Sequence, residues 1–164
     1  MRMIKLMLVV MLGFPCISAR KQFKEKLGKL EDCPVEDYET WDLVGPYCAK
    51  HFHDTRTFGE AEISCREEAE DGHLIAVHDI ETADDLRILT GAYNKKTWIG
   101  GFNVQCTDGF MWTDGSDWDY NNWVPGEPSD MGDCVQMVYD SPGLFDTAEC
   151  CEKRTYVCAF LAED

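Results

Sequence analysis

Two stretches of the chain carry a helical period. From Thr57 to Ala69, the apolar positions Phe58, Ala61, Ile63 and Cys65 recur at roughly helical spacing, with Glu60, Glu62, Glu67, Glu68 and Glu70 interleaved as a solvated face. Gly72 punctuates the end of that helix, and HLIAV (73–77) follows as a short strand. A second helix is predicted to start near Asp79, with Ile80, Ala83, Leu86, Ile88 and Leu89 on its apolar side and Gly91 at its end. TWIGGF (97–102) reads as a strand whose glycines let a second backbone come close. CVQMVYD (134–140) and TYVCAF (155–160) read as closing strands, and residues 33–48 as a hairpin between two cysteines. Residues 107–133 are different: Gly, Asp, Asn and Pro dominate, with Trp112, Trp118, Tyr120 and Trp123 interspersed. Two helices and several short strands joined by a long loop predict an α+β domain. A long irregular loop in a compact domain is usually where function sits.

The ends of the chain change the picture. Arg2 and Lys5 precede an apolar run from Leu6 to Phe14, and small residues follow at Cys16, Ser18 and Ala19. That is the layout of a secretory signal peptide over residues 1–19. The apolar run falls short of the roughly 20 residues a bilayer needs, and no second hydrophobic segment follows, so a secreted protein without a membrane span is expected. Removing residues 1–19 removes Cys16 and leaves eight cysteines: 33, 48, 65, 106, 134, 150, 151 and 158. An even number behind a signal peptide implies disulfides, although the count alone assigns no pairing. The absence of any CxxC pair argues against a zinc cluster.

Charge is uneven. Residues 20–30 hold five basic groups (Arg20, Lys21, Lys24, Lys26, Lys29) against Glu25, whereas residues 31–164 hold 8 basic and 30 acidic groups. Such an acidic body argues against nucleic acid and anionic membrane as partners. No GxSxG, HExxH or Gly-rich phosphate loop occurs, so the chain is not expected to be an enzyme. His51, His53, His73 and His78 show no ligand spacing with a third partner and are read as ordinary surface or core histidines.

From Cys33 to Cys158 the sequence resembles the C-type lectin-like domain. The carrying residues come in the family's order: the cysteine hairpin containing Trp41, Cys65 on the first helix, WIGG (98–101), WTDGS (112–116), YNNW (120–123), GEPSD (126–130), DCVQM (133–137) and YVC (156–158). The chain is also similar to single-domain secreted lectins of fish, type II antifreeze proteins among them. The resemblance implies a looped α+β fold with two helices and two small antiparallel sheets. The domain itself is placed at 33–160, with the basic segment before it, 20–32, as a leader by its charge and a short tail at 161–164. The resemblance implies the bridges Cys33–Cys48, Cys65–Cys158 and Cys134–Cys150. Cys106 and Cys151 are then left over to make a fourth.

In sugar-binding members an acidic or amide residue, a cis-proline and a second polar residue hold calcium and two sugar hydroxyls together. Glu127–Pro128–Ser129 occupies that segment, and its glutamate leans toward mannose-type ligands. The stretch from Asp130 to Asp133 is shorter than the family's, Gly132 stands where a ligand glutamate would be, and Phe145–Asp146–Thr147 replaces Trp-Asn-Asp. The implied metal set is Glu127, Ser129, Asp146 and Thr147, helped by Asp133 or Asp130. It would hold calcium weakly, toward the ~10⁻⁴–10⁻³ M range of extracellular modules. The implied carbohydrate site adds Trp118 and Tyr120 as stacking surfaces to Glu127, Ser129 and Asp146. Trp98, Trp112 and Trp123 are expected to fill the core and brace the loop. The function expected is calcium-dependent carbohydrate binding, with oligomeric state left open. The alternative is the same scaffold binding protein, mineral or ice around a degenerate calcium site.

Overall fold

The structure, a computed structural model, describes residues 29–91, 95–104, 109–130, 132–138 and 144–162. The signal peptide, most of the basic leader and Cys106 therefore lie outside the described residues.

Both predicted helices form where their caps place them. Helix α1 runs Phe58–Glu68 behind a capping box: the Thr57 hydroxyl accepts from Glu60 N, and the Glu60 carboxylate accepts from Thr57 N. Gly72 closes its end, where an added Cβ would lie 2.3 Å from the Cys65 carbonyl oxygen. Helix α2 runs Ile80–Thr90, with the Asp79 side chain accepting from Thr82 N and Gly91 as its last cap.

The buried faces differ from the sequence reading. In α1, Phe58, Ala61, Ser64 and Cys65 face inward, whereas Ile63 is 60% exposed because it falls between the turns that carry that face. In α2, Thr82, Ala83, Leu86 and Thr90 are buried, and Ile80 and Ile88 face solvent.

Glu62 is a further correction. It does not belong to the solvated glutamate face. One carboxylate oxygen meets Arg66 Nε and His73 Nδ1, each at 2.8 Å, and the other accepts from Leu74 N at 2.9 Å. Burial alone would raise the Glu62 pKa, but these hydrogen bonds hold it below the ordinary value. They tie α1 to the following strand. Glu62→Ala should destabilise the domain by about 2 kcal/mol, because the buried Leu74 amide loses its acceptor. Glu62→Gln, which keeps an acceptor, should lose less, and paired urea denaturation curves read the difference.

The strands are β1 (Asp42–Val44), β2 (Tyr47–Arg56), β3 (His73–Leu74), β4 (Thr97–Asn103), β5 (Phe110–Trp112), β6 (Cys134–Val138), β7 (Leu144–Ala148) and β8 (Arg154–Leu161). Their order is β1-β2-β8-β4-β6-β7, with β3 added to β8 and β5 to β4. Two antiparallel halves, β1-β2-β8 and β4-β6-β7, are joined by parallel pairing of Thr97 with Thr155 and Trp98 with Tyr156. The first half closes against α1, and the second carries the long loop.

Among the described residues three bridges form: Cys33–Cys48, Cys65–Cys158 and Cys134–Cys150. They are those implied by the resemblance. Cys151 is exposed and without a disulfide partner among the described residues. Its expected pairing involves Cys106 and so lies outside them.

Candidate functional site

The long loop is held by an aromatic cluster centred on Phe145, which is fully buried. Phe145 meets the rings of Trp112, Trp118, Tyr120 and Trp123 edge-on, with centroids 6.1–6.3 Å away. Its backbone accepts from Val124 N and donates to Asn122 O, so residues 122–124 run along β7 like an added strand. Trp118 stacks on Trp112 at 4.3 Å and on Trp123 at 5.6 Å. It also lies over Gly101, where a Cβ would come 2.7 Å from its ring. The tryptophans thus brace the loop as the sequence predicts. Trp118 and Tyr120 belong to this packing and keep only their outer edges for a ligand.

Beyond this brace the chain turns through Gly126 into a cis Glu127–Pro128 bond and meets Thr147 of β7. Glu127 Oε2 accepts from Ser129 N and Thr147 N, each at 3.0 Å, and from the Thr147 hydroxyl. The hydroxyls of Ser129 and Thr147 lie 3.1 Å apart. Partial burial acts to raise the Glu127 pKa, but the hydrogen bonds from Thr147 and Ser129 outweigh it and hold the carboxyl below its ordinary value. Glu127 is therefore an ionised acceptor fixed through Oε2.

Asp146 is directed elsewhere. Successive strand residues point to opposite faces, so Asp146 leaves the Thr147 side and accepts from Gln136 Nε2 at 2.8 Å and Lys96 Nζ at 3.2 Å. Asp133 offers its carbonyl to Asn103 N at 2.7 Å, and the Asp130 side is exposed. Of the residues singled out from sequence, the fold brings together Glu127, Ser129 and Thr147.

Calcium takes about 6–8 oxygen ligands, several of them carboxylates. Among the described residues no group of three or more Asp, Glu, His or Cys side chains gathers to hold a metal ion. Glu127 Oε2 is turned onto three N–H and O–H donors, and the Lys96 ammonium already neutralises Asp146. Gly132 fills the position of the absent glutamate for a steric reason: a Cβ there would lie 2.0 Å from the Ala148 carbonyl carbon. As arranged, these side chains do not fit a calcium ion.

Sequence reasoning missed a second cluster at the start of the loop. His78 Nδ1 lies 2.6 Å from Asp119, His78 Nε2 lies 3.2 Å from the Ser116 hydroxyl, and that hydroxyl donates to Asp114 at 2.6 Å. The line Asp119–His78–Ser116 looks like a nucleophilic triad, but the Ser116 hydroxyl donates to Asp114 rather than to the histidine. The cluster instead clamps the loop to the connection before α2. Its residues are 38 and 41 positions apart from His78, which is why ligand spacing gave no sign of it.

Comparison with known proteins agrees with this architecture. The Lectin C-type domain matches residues 54–160, and the chain belongs to that family. A C-type isolectin from Scorpaena plumieri is 34% identical over 116 residues, covering 67% of this chain and 78% of that one. Among solved structures, a calcium-independent type II antifreeze protein superposes with a TM-score of 0.68 at 28% identity, covering 83% of this chain and 98% of the other. The carbohydrate-recognition domain of cow CD23, solved in the presence of a GlcNAc2Man3 oligosaccharide, gives 0.65 at 29% identity, with 76% and 95% covered. The class is a non-enzymatic one. Among the described residues no helix is long and apolar enough to cross a membrane.

Proposed function

We propose that this is an extracellular carbohydrate-binding protein that grips its glycan with the Glu127–Ser129–Thr147 cluster and does not need a resident calcium ion to do so. The observation that carries the reading is the Glu127 carboxylate, pinned through Oε2 by Thr147 and Ser129 and free to accept a sugar hydroxyl through Oε1. A preorganised carboxylate beside two hydroxyls offers the acceptors and donors that vicinal sugar hydroxyls require. Charge-assisted bonds of this kind are stronger than neutral ones, and the fixed geometry reduces the ordering cost of binding. Extracellular location is supported by the signal-like N-terminus and the disulfides. The likeness to a domain solved with a mannose-bearing oligosaccharide supports a glycan ligand, and the likeness to a calcium-independent protein supports independence from the ion.

A glycan array probed with and without chelator tests this. The expected result is a signal that chelation leaves unchanged and that Glu127→Gln reduces at least tenfold. Signal that vanishes with chelator would return the site to calcium. No signal at all, together with ice-growth inhibition or mineral binding, would favour the alternative use of the scaffold. Because the folded-state pKa of Glu127 is depressed, its hydrogen bonds contribute above the ordinary carboxylate value near ~4.3, and that contribution is lost as pH falls through the lower folded value. Glycan binding should accordingly hold from neutral pH into the mildly acidic range and fail below it.

A further inference from the structure

On the side of the molecule formed by the β1–β2 end and the α1–β3 connection, a cleft of about 950 Å³ opens between residues 35–38, β3, the Asp114–Ser116 turn and the last residues of β8. Tyr38, Tyr47 and Phe160 supply aromatic wall, and Glu70, Asp71 and Asp114 stand at it with their side chains exposed to solvent. Among the described residues no lysine or arginine lines it, and His73, which does, has its Nδ1 on Glu62. None of the Glu127–Ser129–Thr147 cluster lines it either, so it is separate from the proposed glycan site.

Two further observations bear on what it would take. Tyr47 is 7% exposed, lines the cleft, and its hydroxyl makes no hydrogen bond among the described residues. Burial first, and then the charges of Asp114, Asp119 and Asp79, push its pKa up to about 12, which locates a negative field at the cleft wall. Asp114 receives both donors of Ser116 on Oδ1, which leaves Oδ2 for an incoming donor.

We propose that this cleft is a second binding site and that its ligand is a lysine- or arginine-bearing segment of a partner protein. The chemistry is specific to a cation on a polypeptide. Aromatic faces attract ammonium and guanidinium groups, three carboxylates neutralise them, and the Tyr47 hydroxyl supplies one neutral partner. Its volume, about 950 Å³, lies within the range of ordinary ligand pockets, roughly 300–1,000 Å³. The strongly acidic body would add long-range attraction, but attraction alone does not choose a place.

The experiment uses a fluorescently labelled Lys-Arg-Lys-Arg peptide and reads anisotropy at low and at physiological salt on the full chain. Leu161 lines the cleft and is 59% exposed, so Leu161→Lys puts an ammonium at the cleft without disturbing the core. Ile63 on α1 is 60% exposed and does not line the cleft, so Ile63→Lys makes the same charge change elsewhere. Leu161→Lys should weaken peptide binding at least tenfold, and Ile63→Lys less than threefold. Equal effects would reduce the binding to general charge attraction and overturn the site. Absence of peptide binding would overturn it too. Binding that appears only after residues 20–29 are deleted would give the cleft to the chain's own basic segment rather than to a partner. Glycan-array signal measured on the same variants should be unchanged, which keeps this test apart from that of the Glu127 cluster.

Discussion

Replacing Cys65 and Cys158 together by alanine should remove about 4–5 kcal/mol of stability, more than the loss of either other bridge. The reason is loop length. This bridge spans 93 residues, whereas Cys33–Cys48 and Cys134–Cys150 span 15 and 16, for which about 3 kcal/mol is expected. Its place in the fold adds to the effect, since Cys65 on α1 and Cys158 on β8 are both fully buried. Without it, α1 rests on β8 through packing, the Ser64–Tyr156 hydroxyl contact and the Glu62 tie to β3. Against a typical total of about 5–15 kcal/mol, such a loss should leave a substantial unfolded fraction at physiological temperature. Urea denaturation of the three double-alanine variants gives the ranking directly. A Cys65/Cys158 variant no less stable than the Cys33/Cys48 one would show that strain in the native bridge cancels the loop-closure term.

The sequence carried the parts of this fold that are written locally. The apolar periods starting at Thr57 and near Asp79 placed both helices, whose caps, Thr57 with Glu60 and Asp79 with Thr82, are equally local. The tryptophans announced the loop brace because aromatic side chains in an irregular stretch must be buried somewhere, whereas the central place of Phe145 on β7 was not legible. Contacts made at a distance were not legible. Glu62 sits among glutamates of a helix whose pattern looks solvated, and only the return of the chain as His73–Leu74 gives it donors. Lys96 reaches Asp146 across 50 residues, and nothing near either predicts that the carboxylate is already neutralised. The family's calcium arrangement was legible as a motif, and Glu127, Ser129 and Thr147 do converge. What the motif omitted was the direction of each side chain on β7, where one residue's step sends Asp146 to the opposite face from Thr147.

Gly132→Glu restores by residue type the carboxylate that the family's site would have, and it should not restore the site. An added Cβ would stand 2.0 Å from Ala148 C, 2.2 Å from Ala148 O and 2.5 Å from Glu149 N, all backbone atoms. β7 has little room to retreat: Cys134 pairs with Ala148 across the ladder, and the Cys134–Cys150 bridge holds the same end. The segment carrying residue 132 must therefore move outward, and Glu127 and Ser129, a few residues before it, lose their alignment with Thr147. We expect a loss of about 3 kcal/mol, at the upper end of what overpacking costs when the obstacle is main chain rather than a flexible side chain. Glycan binding should fall with it, and calorimetry with millimolar calcium should detect no new binding. Thr147→Asp is the informative companion. It adds a carboxylate without a backbone clash, but places it against Glu127 in the absence of a cation, so its stability should depend on added calcium if any variant's does. Calcium binding by Gly132→Glu at unchanged stability would mean that the tight packing of residue 132 on β7 yields readily, and that the shortened loop is no barrier to a metal site.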